Sequence, residues 1–434
     1  MIYKHKSHHL FSFRSLIRAQ HQHNGFVRRA NVARPIRLTL PQVTGRTETS
    51  VVRSSLTRLI ASGAAPSRVA LVRATGLSRT SVNTHLEPLL AAGVVVEDGQ
   101  AVTEGRGRPA HRLALAPRAG VVAVADVGVH SARLAVVDLD QAELARRSIS
   151  LDLALGPDPG LAALEQGLRD ALAEAQVAPS AVRCLVVGLP GPVDHERGRP
   201  VRPPIMPGWD GFPVGDTLRE RFGCPVLVDN DVNLMALGEA RARPPEESPL
   251  LYIEIGAGIG GGLVAADGAL HRGADGAAGD IGHVRVPGAD DVVCVCGNVG
   301  CVEAVASAGA VVRRLREGRE DLATIEDLAG RLRTGDPVAV RAVRAATEPI
   351  GEVVASLVHF YNPRTIVIGG LISAASDDVL AGVRSVVYRR ALPLATRNLL
   401  LVHGVLGDGA GIAGGVAAGI EAVLAPDHID ALLG

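Results

Sequence analysis

The sequence predicts an α/β protein that begins with a small, basic, mainly helical domain. In the first third, apolar residues recur with helical spacing, and serine caps flank a glycine turn. Further along, strands alternate with helices, which is the pattern of an α/β domain. Residues 1–116 carry 17 Lys and Arg against 5 Asp and Glu, whereas the remainder carries 28 against 40. The net charge of zero therefore hides a basic first third, which indicates contact with a polyanion such as nucleic acid.

The bulk composition is that of a soluble globular protein of two or three domains. Of the 434 residues, 47% are apolar and 21% are charged, and no run of 18 apolar residues could span a membrane. The odd number of cysteines, five, argues against a secreted disulfide scaffold. The sequence therefore predicts a cytoplasmic protein.

Residues 1–47 form a basic leader with nine Lys and Arg, five His and no acidic residue. This segment lacks the continuous apolar core and the small-residue cleavage site of a secretory signal. We predict that it is disordered. A transit-like amphipathic segment, or a start codon upstream of the natural one, would give the same composition.

Residues 48–116 are predicted to form a winged helix-turn-helix. A first helix ends near Gly63, Ser67 caps a second, Gly76 supplies the turn and Ser78 caps a third. The third helix has one apolar stripe, made of Val82, Leu86, Leu89 and Leu90. Outside the stripe, its first turns carry side chains suited to base edges and phosphates, namely Arg79, Thr80, Ser81, Asn83 and Thr84.

Two further features shape this domain. Pro88 lies inside the third helix, so we expect a kink or split there that leaves the earlier contact residues in place. The stretch VVVEDGQAVT predicts two strands joined by an Asp98-Gly99 turn, and GRGRPAHR follows as a basic tip with Arg106 and Arg108. The alternative is a small helical hairpin with a polar face, but the turn, the wing and the charge favour DNA binding.

Residues 117–434 form the predicted α/β body. Two strands meet at an Asp126-Val-Gly128 turn, and a helix at about 158–175 precedes a strand at 182–188. Further on, PVLVDNDVNLMALGEAR runs from a buried strand into a helix and places Asn230 and Asp231 at the junction. LYIEIGAGIGGGLV is a glycine-rich hairpin whose bare backbone could approach a phosphate or a sugar.

The order of motifs is more specific than any one of them. GLPGPVD, PGWDG, DNDVN, GAGIGGG, GAAGDIGH and CVCGNVGCVE together resemble the ROK family of repressors, open reading frames and sugar kinases, over residues ~50 to 425. The resemblance implies a two-lobed actin/hexokinase-like sugar kinase fold with a sugar in its cleft, in a homodimer or homotetramer. We expect lobes at about 117–235 plus the C-terminal helix, and at about 236–405. The DNA-binding domain resembles the repressor branch, because the kinases of the family lack it.

The same resemblance implies one zinc ion bound by His283, Cys294, Cys296 and Cys301. Thiolates and imidazole suit tetrahedral Zn²⁺, and four protein ligands close the shell, so the ion would be structural. A buried cluster without metal is the alternative.

The resemblance also implies a sugar site made of Asn230, Asp231, Asp280, His283 and Glu303, with Asp231 at the position of the kinase general base. Carboxylates and an amide suit a polyol, since they satisfy hydroxyl donors and acceptors. The turn at 208–211 is expected to line the cleft. The alternatives are a helix-capping pair for Asn230 and Asp231, and plain loop or helix-end polarity for the others.

The nucleotide end departs from the family pattern. The resemblance implies nucleotide contacts at Asp126, Gly128, Gly258, Gly260, Gly369 and Gly370, although tight packing would also explain the last two. Val129, His130 and Ser131 stand where the kinases' phosphate loop has glycine, threonine and lysine, and Ala257 replaces a usual threonine. At the sugar end, Asp280 stands where the kinases of the family have a glutamate.

We therefore predict a sugar-responsive repressor that binds operator DNA. The alternative is an active sugar kinase that uses ATP and Mg²⁺.

Overall fold

The computed structural model describes residues 36–41, 48–100, 111–316 and 321–433. The N-terminal domain consists of α1 Thr49–Ala61, α2 Arg68–Thr75, α3 Arg79–Ala91, β1 Val95–Gln100 and β2 His111–Leu115. The side chain of Ser67 accepts a hydrogen bond from the Ala70 backbone and caps α2, and Ser78 caps α3 through the Ser81 backbone. Gly76 ends α2 with a φ of 71°. The predicted helix-turn-helix is therefore present, with its caps.

Two expectations for this domain differ from the structure. Helix α3 is not split at Pro88, which lies in the last turn, so its missing N–H removes one helical hydrogen bond, that to the Thr84 carbonyl. The Asp98-Gly99 pair is not a hairpin turn. It forms an irregularity within β1, because the partner strand comes from 111–115 and Gly99, with a φ of 65°, accommodates an extra residue.

The first lobe of the body is built on a five-stranded sheet in the order β5-β4-β3-β6-β9. Strands β3, β4 and β5 are antiparallel neighbours, whereas β6 and β9 add in parallel. Its elements are β3 Val121–Val127, β4 Ser131–Asp138, β5 Glu143–Ser150, α4 Pro157–Glu174, β6 Val182–Leu189, β7 Val193–Asp194, β8 Arg199–Pro200, α5 Val214–Phe222 and β9 Val226–Asn230.

The second lobe has a four-stranded sheet in the order β11-β10-β12-β13, with β10, β12 and β13 parallel. Its strands are β10 Leu250–Ile255, β11 Ile259–Val264, β12 Thr365–Gly369 and β13 Leu400–His403. Its helices are α6 Asp231–Ala242, α7 Val302–Ala306, α8 Ala308–Arg316, α9 Ile325–Arg333, α10 Pro337–Tyr361, α11 Leu371–Ala375, α12 Asp377–Arg390 and α13 Pro393–Thr396. The C-terminal α14 Ala410–Val423 returns to the first lobe, where it packs on β3 and β6.

Helices α6 and α14 join the two lobes. A Cβ on Gly414 would lie 1.8 Å from the Leu234 carbonyl oxygen, and one on Gly238 would lie 2.2 Å from that of Ala410. Only glycine permits this backbone contact. Because α6 also packs against β10 and β11, the crossing couples the two sheets.

The N-terminal domain shares a hydrophobic core with the body. Leu56 of α1 and Leu86 of α3 belong to one cluster with Val124 of β3 and Ile420 of α14. The segment 36–41 packs beside them: Leu38 is buried, and the Ile36 backbone donates to Gln141 Oε1 at 2.8 Å. The expected disorder of the leader therefore does not hold for 36–41, because an apolar residue and backbone hydrogen bonds fix this segment to the body.

The turn at 208–211 does not line the cleft through its tryptophan. Trp209 is fully buried in the first-lobe core, where its ring lies against Gly160 and its Nε1 donates to the Leu153 carbonyl at 3.0 Å. Among the described residues, no helix is long and apolar enough to cross a membrane.

Candidate sugar cleft, metal centre and nucleic-acid interface

Asn230 and Asp231 lie where β9 ends and α6 begins, as predicted. Asn230 caps the helix, since its Oδ1 accepts from the Asn233 backbone at 3.1 Å. Its Nδ2 donates to the Gly191 carbonyl at 3.0 Å and to Asp231 Oδ1 at 3.1 Å. The capping alternative is therefore correct for Asn230, and its amide also orients the Asp231 carboxylate.

The environment of Asp231 favours proton uptake. Burial raises the pKa of its carboxyl well above the usual range, and the negative charge of Asp126 adds to the rise. Oδ1 already accepts from the Val232 backbone at 2.9 Å. A carboxylate whose ionised form is disfavoured takes up a proton readily, which is the property that a general base requires.

Sequence reasoning missed the carboxylate that precedes this pair. Asp229 is buried and accepts from Arg272 Nε at 2.9 Å and Nη2 at 2.7 Å. Its other oxygen accepts from the Asn230 backbone and from Asn233 Nδ2. Asp229 therefore fixes the strand–helix junction that presents Asn230 and Asp231. The first Asp in DNDVN was the available signal.

The glycine hairpin between β10 and β11 brings the two sides of the candidate site together. On one side, a Cβ at Gly260 would lie 2.7 Å from Val232 Cγ2, next to Asp231. On the other, a Cβ at Gly258 would lie 2.3 Å from Glu303 Oε2, and the Gly261 backbone donates to the Gly279 carbonyl at 2.8 Å. Because its glycines have no side chains, the hairpin allows helix α6 and the 279–283 loop to approach its backbone from opposite sides.

The residues predicted for the far side of the sugar lie around that loop. Asp280 is exposed, and its Oδ1 is 3.9 Å from His283 Nε2. Glu303 is half-buried at the start of α7 and accepts from the Ile259 backbone at 3.1 Å. Glu303 is therefore not the solvated helix end considered above, because it ties α7 to the hairpin.

His283 and the three clustered cysteines converge as one possible metal site. Their four donor atoms lie within 4.8 Å of one another. His283 Nδ1 is 3.6 Å from Cys294 Sγ, and Cys296 Sγ is 3.8 Å from Cys301 Sγ. Bonds of about 2.3 Å to sulfur and about 2.0 Å to nitrogen in a tetrahedron place neighbouring donors at about these separations. The donor set and its spacing fit a closed four-ligand metal site.

His283 links this cluster to the candidate sugar site. Its Nδ1 faces Cys294, and its Nε2 faces Asp280. A metal ion bound at Nδ1 would fix the orientation of the imidazole ring and hence the position of Nε2.

At the predicted nucleotide end, the glycines pack against protein. A Cβ on Gly369 would lie 1.9 Å from the Tyr252 hydroxyl, and one on Gly370 would lie 2.2 Å from the Ile255 carbonyl oxygen. The Gly128 backbone closes its turn by donating to the Ser131 carbonyl at 2.8 Å. These contacts support the packing alternative for Gly369 and Gly370, and a nucleotide role remains a prediction.

This end of the cleft is acidic. Asp126 is buried and accepts from Arg133 Nε at 3.2 Å. Burial raises the pKa of Asp126, although Arg133 opposes the rise. Arg133 also lies 3.7 Å from Asp408.

Glu254 of β10 adds a carboxylate that sequence reasoning missed. Its Oε2 accepts from the Tyr252 hydroxyl at 2.8 Å. A Cβ on Gly369 would lie 2.7 Å from that oxygen, and one on Gly256 would lie 3.5 Å from Oε1, so the carboxylate stands between the two glycine turns. Burial raises its pKa to about 7, Asp126 contributes to the rise, and the Tyr252 hydrogen bond opposes it. An acid inside an otherwise apolar strand was the available signal.

The candidate DNA-contacting residues share one face of α3. Arg79, Thr80, Asn83 and Thr84 are exposed and Ser81 is half-buried, while Val82, Leu86 and Leu89 are buried on the other face. Arg106 and Arg108 lie outside the described residues.

The chain is similar along most of its length to bacterial sugar regulators. The ROK family model matches residues 122–421. A xylose repressor from Caldicellulosiruptor bescii is 28% identical over 372 residues, which are 82% of this chain and 92% of that protein. The crystal structure of a ROK family transcriptional regulator homologous to the E. coli MLC protein superposes with a TM-score of 0.73 at 26% identity, covering 89% of this chain and 98% of that one. A Streptomyces griseus ROK glucokinase in complex with glucose and AMPPNP gives 0.59 at 27%, covering 69% and 99%. The predicted family and fold are confirmed, and the regulators match more of the chain than this kinase does.

Proposed function

Because this chain belongs to the ROK family, we propose that it is a sugar-responsive transcriptional repressor. Residues 48–116 would bind operator DNA, and the cleft beside Asp231 would bind a sugar. The observation that carries the proposal is the shared core: the domain that exposes the polar face of α3 packs on the helices that also form the cleft.

The exposed face of α3 suits the major groove. Its contact residues occupy the first turns of the helix, ahead of Pro88, where recognition helices meet base edges. One such helix reads only a half-site, so we propose a homodimer or homotetramer that presents two of them about one turn of DNA apart.

In the cleft, Asn230, Asp231, Asp280, His283 and Glu303 would bind sugar hydroxyls. For a sugar to act as a signal, it must bind one arrangement of the DNA-binding domains better than the other, because equal affinity shifts no equilibrium. Asp280 is shorter than the glutamate usual in the family kinases, which would change the sugar that is preferred.

We propose that the metal is zinc, held by His283, Cys294, Cys296 and Cys301. When bound, zinc would supply a structural crosslink, since four protein ligands leave no open position for chemistry. The loop it fixes would present His283 Nε2 to the sugar.

An active ATP-dependent sugar kinase is the second candidate, because Asp126 and Asp231 are both present. Against it, Glu254 places negative charge between the two glycine turns, where a nucleotide would bring more, and Val129 replaces a phosphate-loop glycine. A coupled assay with ATP, Mg²⁺ and common hexoses tests this candidate, and turnover abolished by Asp231→Asn would establish it.

The main test is fluorescence anisotropy of the full chain on DNA from upstream of its own gene, at fixed salt. The titration is repeated with hexoses, N-acetylhexosamines and pentoses. We expect one sugar to change operator affinity in the wild type and in Asp427→Ala, an exposed control. Asp231→Ala should bind DNA without responding to sugar. An unchanged sugar response in Asp231→Ala would show that the cleft is not the sensor.

A further inference from the structure

A cavity of about 320 Å³ lies where the N-terminal domain meets the body. Its lining includes Arg58 of α1 and Thr39 of the 36–41 segment on one part, and Arg241 of α6 and Glu421 of α14 on the other. Leu234, Leu237 and Ala418 add apolar surface. None of the residues predicted to bind sugar or nucleotide belongs to this lining, although Asp229, which directly precedes Asn230 and Asp231, does.

The charges that line the cavity do not balance. Arg272 is paired with Asp229 at 2.7 Å, and Arg241 with Glu421 at 3.0 Å. Arg58 has no carboxylate within ion-pair distance among the described residues. Its Nη1 donates to the Thr39 carbonyl at 2.7 Å and its Nη2 to the Glu421 backbone carbonyl at 2.5 Å. Three guanidinium groups therefore face two carboxylates.

Arg58 is also buried, with 7% of the residue exposed, and its Nε has no acceptor in the described part of the chain. Arginine is almost never fully buried unless it is paired, because an uncompensated charge loses its hydration. Burial lowers the pKa of Arg58; Glu421 opposes this, and the positive charge of Arg241 adds to it. The guanidinium nevertheless stays charged at neutral pH.

A second arginine near the cavity, Arg37, also has no carboxylate within ion-pair distance among the described residues. Arg37 donates from Nη2 to the Ala240 carbonyl at 2.7 Å, and its Nε has no acceptor among the described residues. Burial lowers its pKa, and the positive charge of Arg241 lowers it further, whereas the negative charge of Glu246 opposes both. The junction of the two domains therefore carries a local excess of positive charge.

We propose that this cavity binds a small anion, a phosphate or a carboxylate on a compact, partly apolar body. Arg58 would supply the countercharge. The volume is at the lower end of the range for small-molecule sites, and the leucines would contact the apolar part. Since α1 and α14 both contribute residues to the lining, the bound anion ties the DNA-binding domain to the body.

The test uses the full chain and phenyl phosphate as the probe, titrated by calorimetry and by thermal unfolding against sodium chloride of equal ionic strength. We expect saturable binding and a higher melting temperature than chloride gives. Inorganic phosphate and benzoate, in parallel titrations, show whether the phosphate or the carboxylate form is preferred. The absence of saturable binding by all three probes overturns the proposal.

Arg58→Met removes the unpaired charge, and Arg53→Met is its matched control. Arg53 lies on the same helix but is paired with Asp430 at 2.7 Å and does not line the cavity. We expect the Kd for phenyl phosphate to rise at least tenfold in Arg58→Met and to stay within twofold of wild type in Arg53→Met. An equal loss in both variants would point to a nonspecific charge effect and overturn the proposal.

Glu421→Gln keeps the test decisive should Arg58→Met fail to fold. The amide retains an oxygen for the Thr39 and Arg241 donors but removes the negative charge that competes with a ligand. We expect phenyl phosphate to bind about tenfold more tightly. Unchanged or weaker binding would contradict the assignment of the cavity to an anion.

Discussion

Replacing Glu254 with glutamine should make the stability of this protein less dependent on pH. The carboxyl is buried between the Gly256 and Gly369 turns, and its pKa rises from the usual 4.5 to about 7. Glutamine has nearly the same shape and can still accept the hydrogen bond of the Tyr252 hydroxyl. The substitution therefore removes the ionisation and little else.

The direction in which pH changes the free energy of unfolding depends on whether the folded or the unfolded chain holds the proton of Glu254 more tightly. Below pH 4.5 Glu254 is protonated in both the folded and the unfolded chain, so its ionisation costs nothing. Between pH 4.5 and about 7 the unfolded chain loses the proton first, and the free energy of unfolding falls as pH rises. Above pH 7 the full cost is present, about 3 kcal/mol for a shift of this size.

The assay is urea unfolding of the wild type and of Glu254→Gln, followed by circular dichroism at pH 5 and pH 8.5. We expect the variant to be more stable by about 3 kcal/mol at pH 8.5 and by roughly 1 kcal/mol at pH 5. Asp126 and Asp231 titrate in the same direction and are present in both proteins, but the charge of Glu254 helps to raise the pKa of Asp231, so removing it adds to the difference at high pH. Glu220→Gln, on the exposed face of α5, should show no such difference. A gap between wild type and Glu254→Gln that is equal at the two pH values would refute the reasoning.

Three further predictions concern the metal, the cleft and the DNA. Purified protein should contain about one zinc per chain by elemental analysis, because the four-ligand shell is closed. The zinc content of Cys294→Ser should fall below half an equivalent per chain, whereas that of Cys184→Ser should not. Asn230→Ala should cost about 1 kcal/mol of unfolding free energy through the lost cap of α6, whereas Asn230→Ser should keep the cap and lose only sugar affinity in calorimetry. Arg79→Ala should weaken operator binding by about 1–3 kcal/mol in anisotropy titrations, and an equal loss in the exposed control Arg384→Ala would contradict a specific role.

The predictions that succeeded rested on signals close together in the chain. Ser67 and Ser78 cap helices that start one residue later, and the DNDVN motif places Asn230 at a strand–helix junction. Cys294, Cys296 and Cys301 lie within eight residues of sequence, and the loop between them is too short to separate them widely. In each case local geometry decides the outcome.

The features that sequence reasoning missed or predicted wrongly depended on contacts between distant residues. The partner of β1 is 111–115, so nothing local to Asp98-Gly99 could exclude a hairpin turn there. Arg58 lines a cavity only because α14 lies beside α1, and its bond to the Glu421 carbonyl joins residues 363 positions apart. Trp209 is buried because α4 presents Gly160 to its ring. Periodicity cannot predict such partners.

These distant contacts give a sugar in the cleft a physical route to the DNA-binding domain. Asn230 caps α6 and also belongs to the proposed sugar site, so a ligand that reorients its amide acts on the first turn of α6. Helix α6 crosses α14 at the backbone contact of Gly238 and Gly414, which leaves little room for the two helices to move independently. Helix α14 shares its core with α1. A small displacement of α6 would therefore reach the DNA-binding domain through two close-packed interfaces, and Asn230→Ser, which keeps the cap, separates this route from simple loss of the helix.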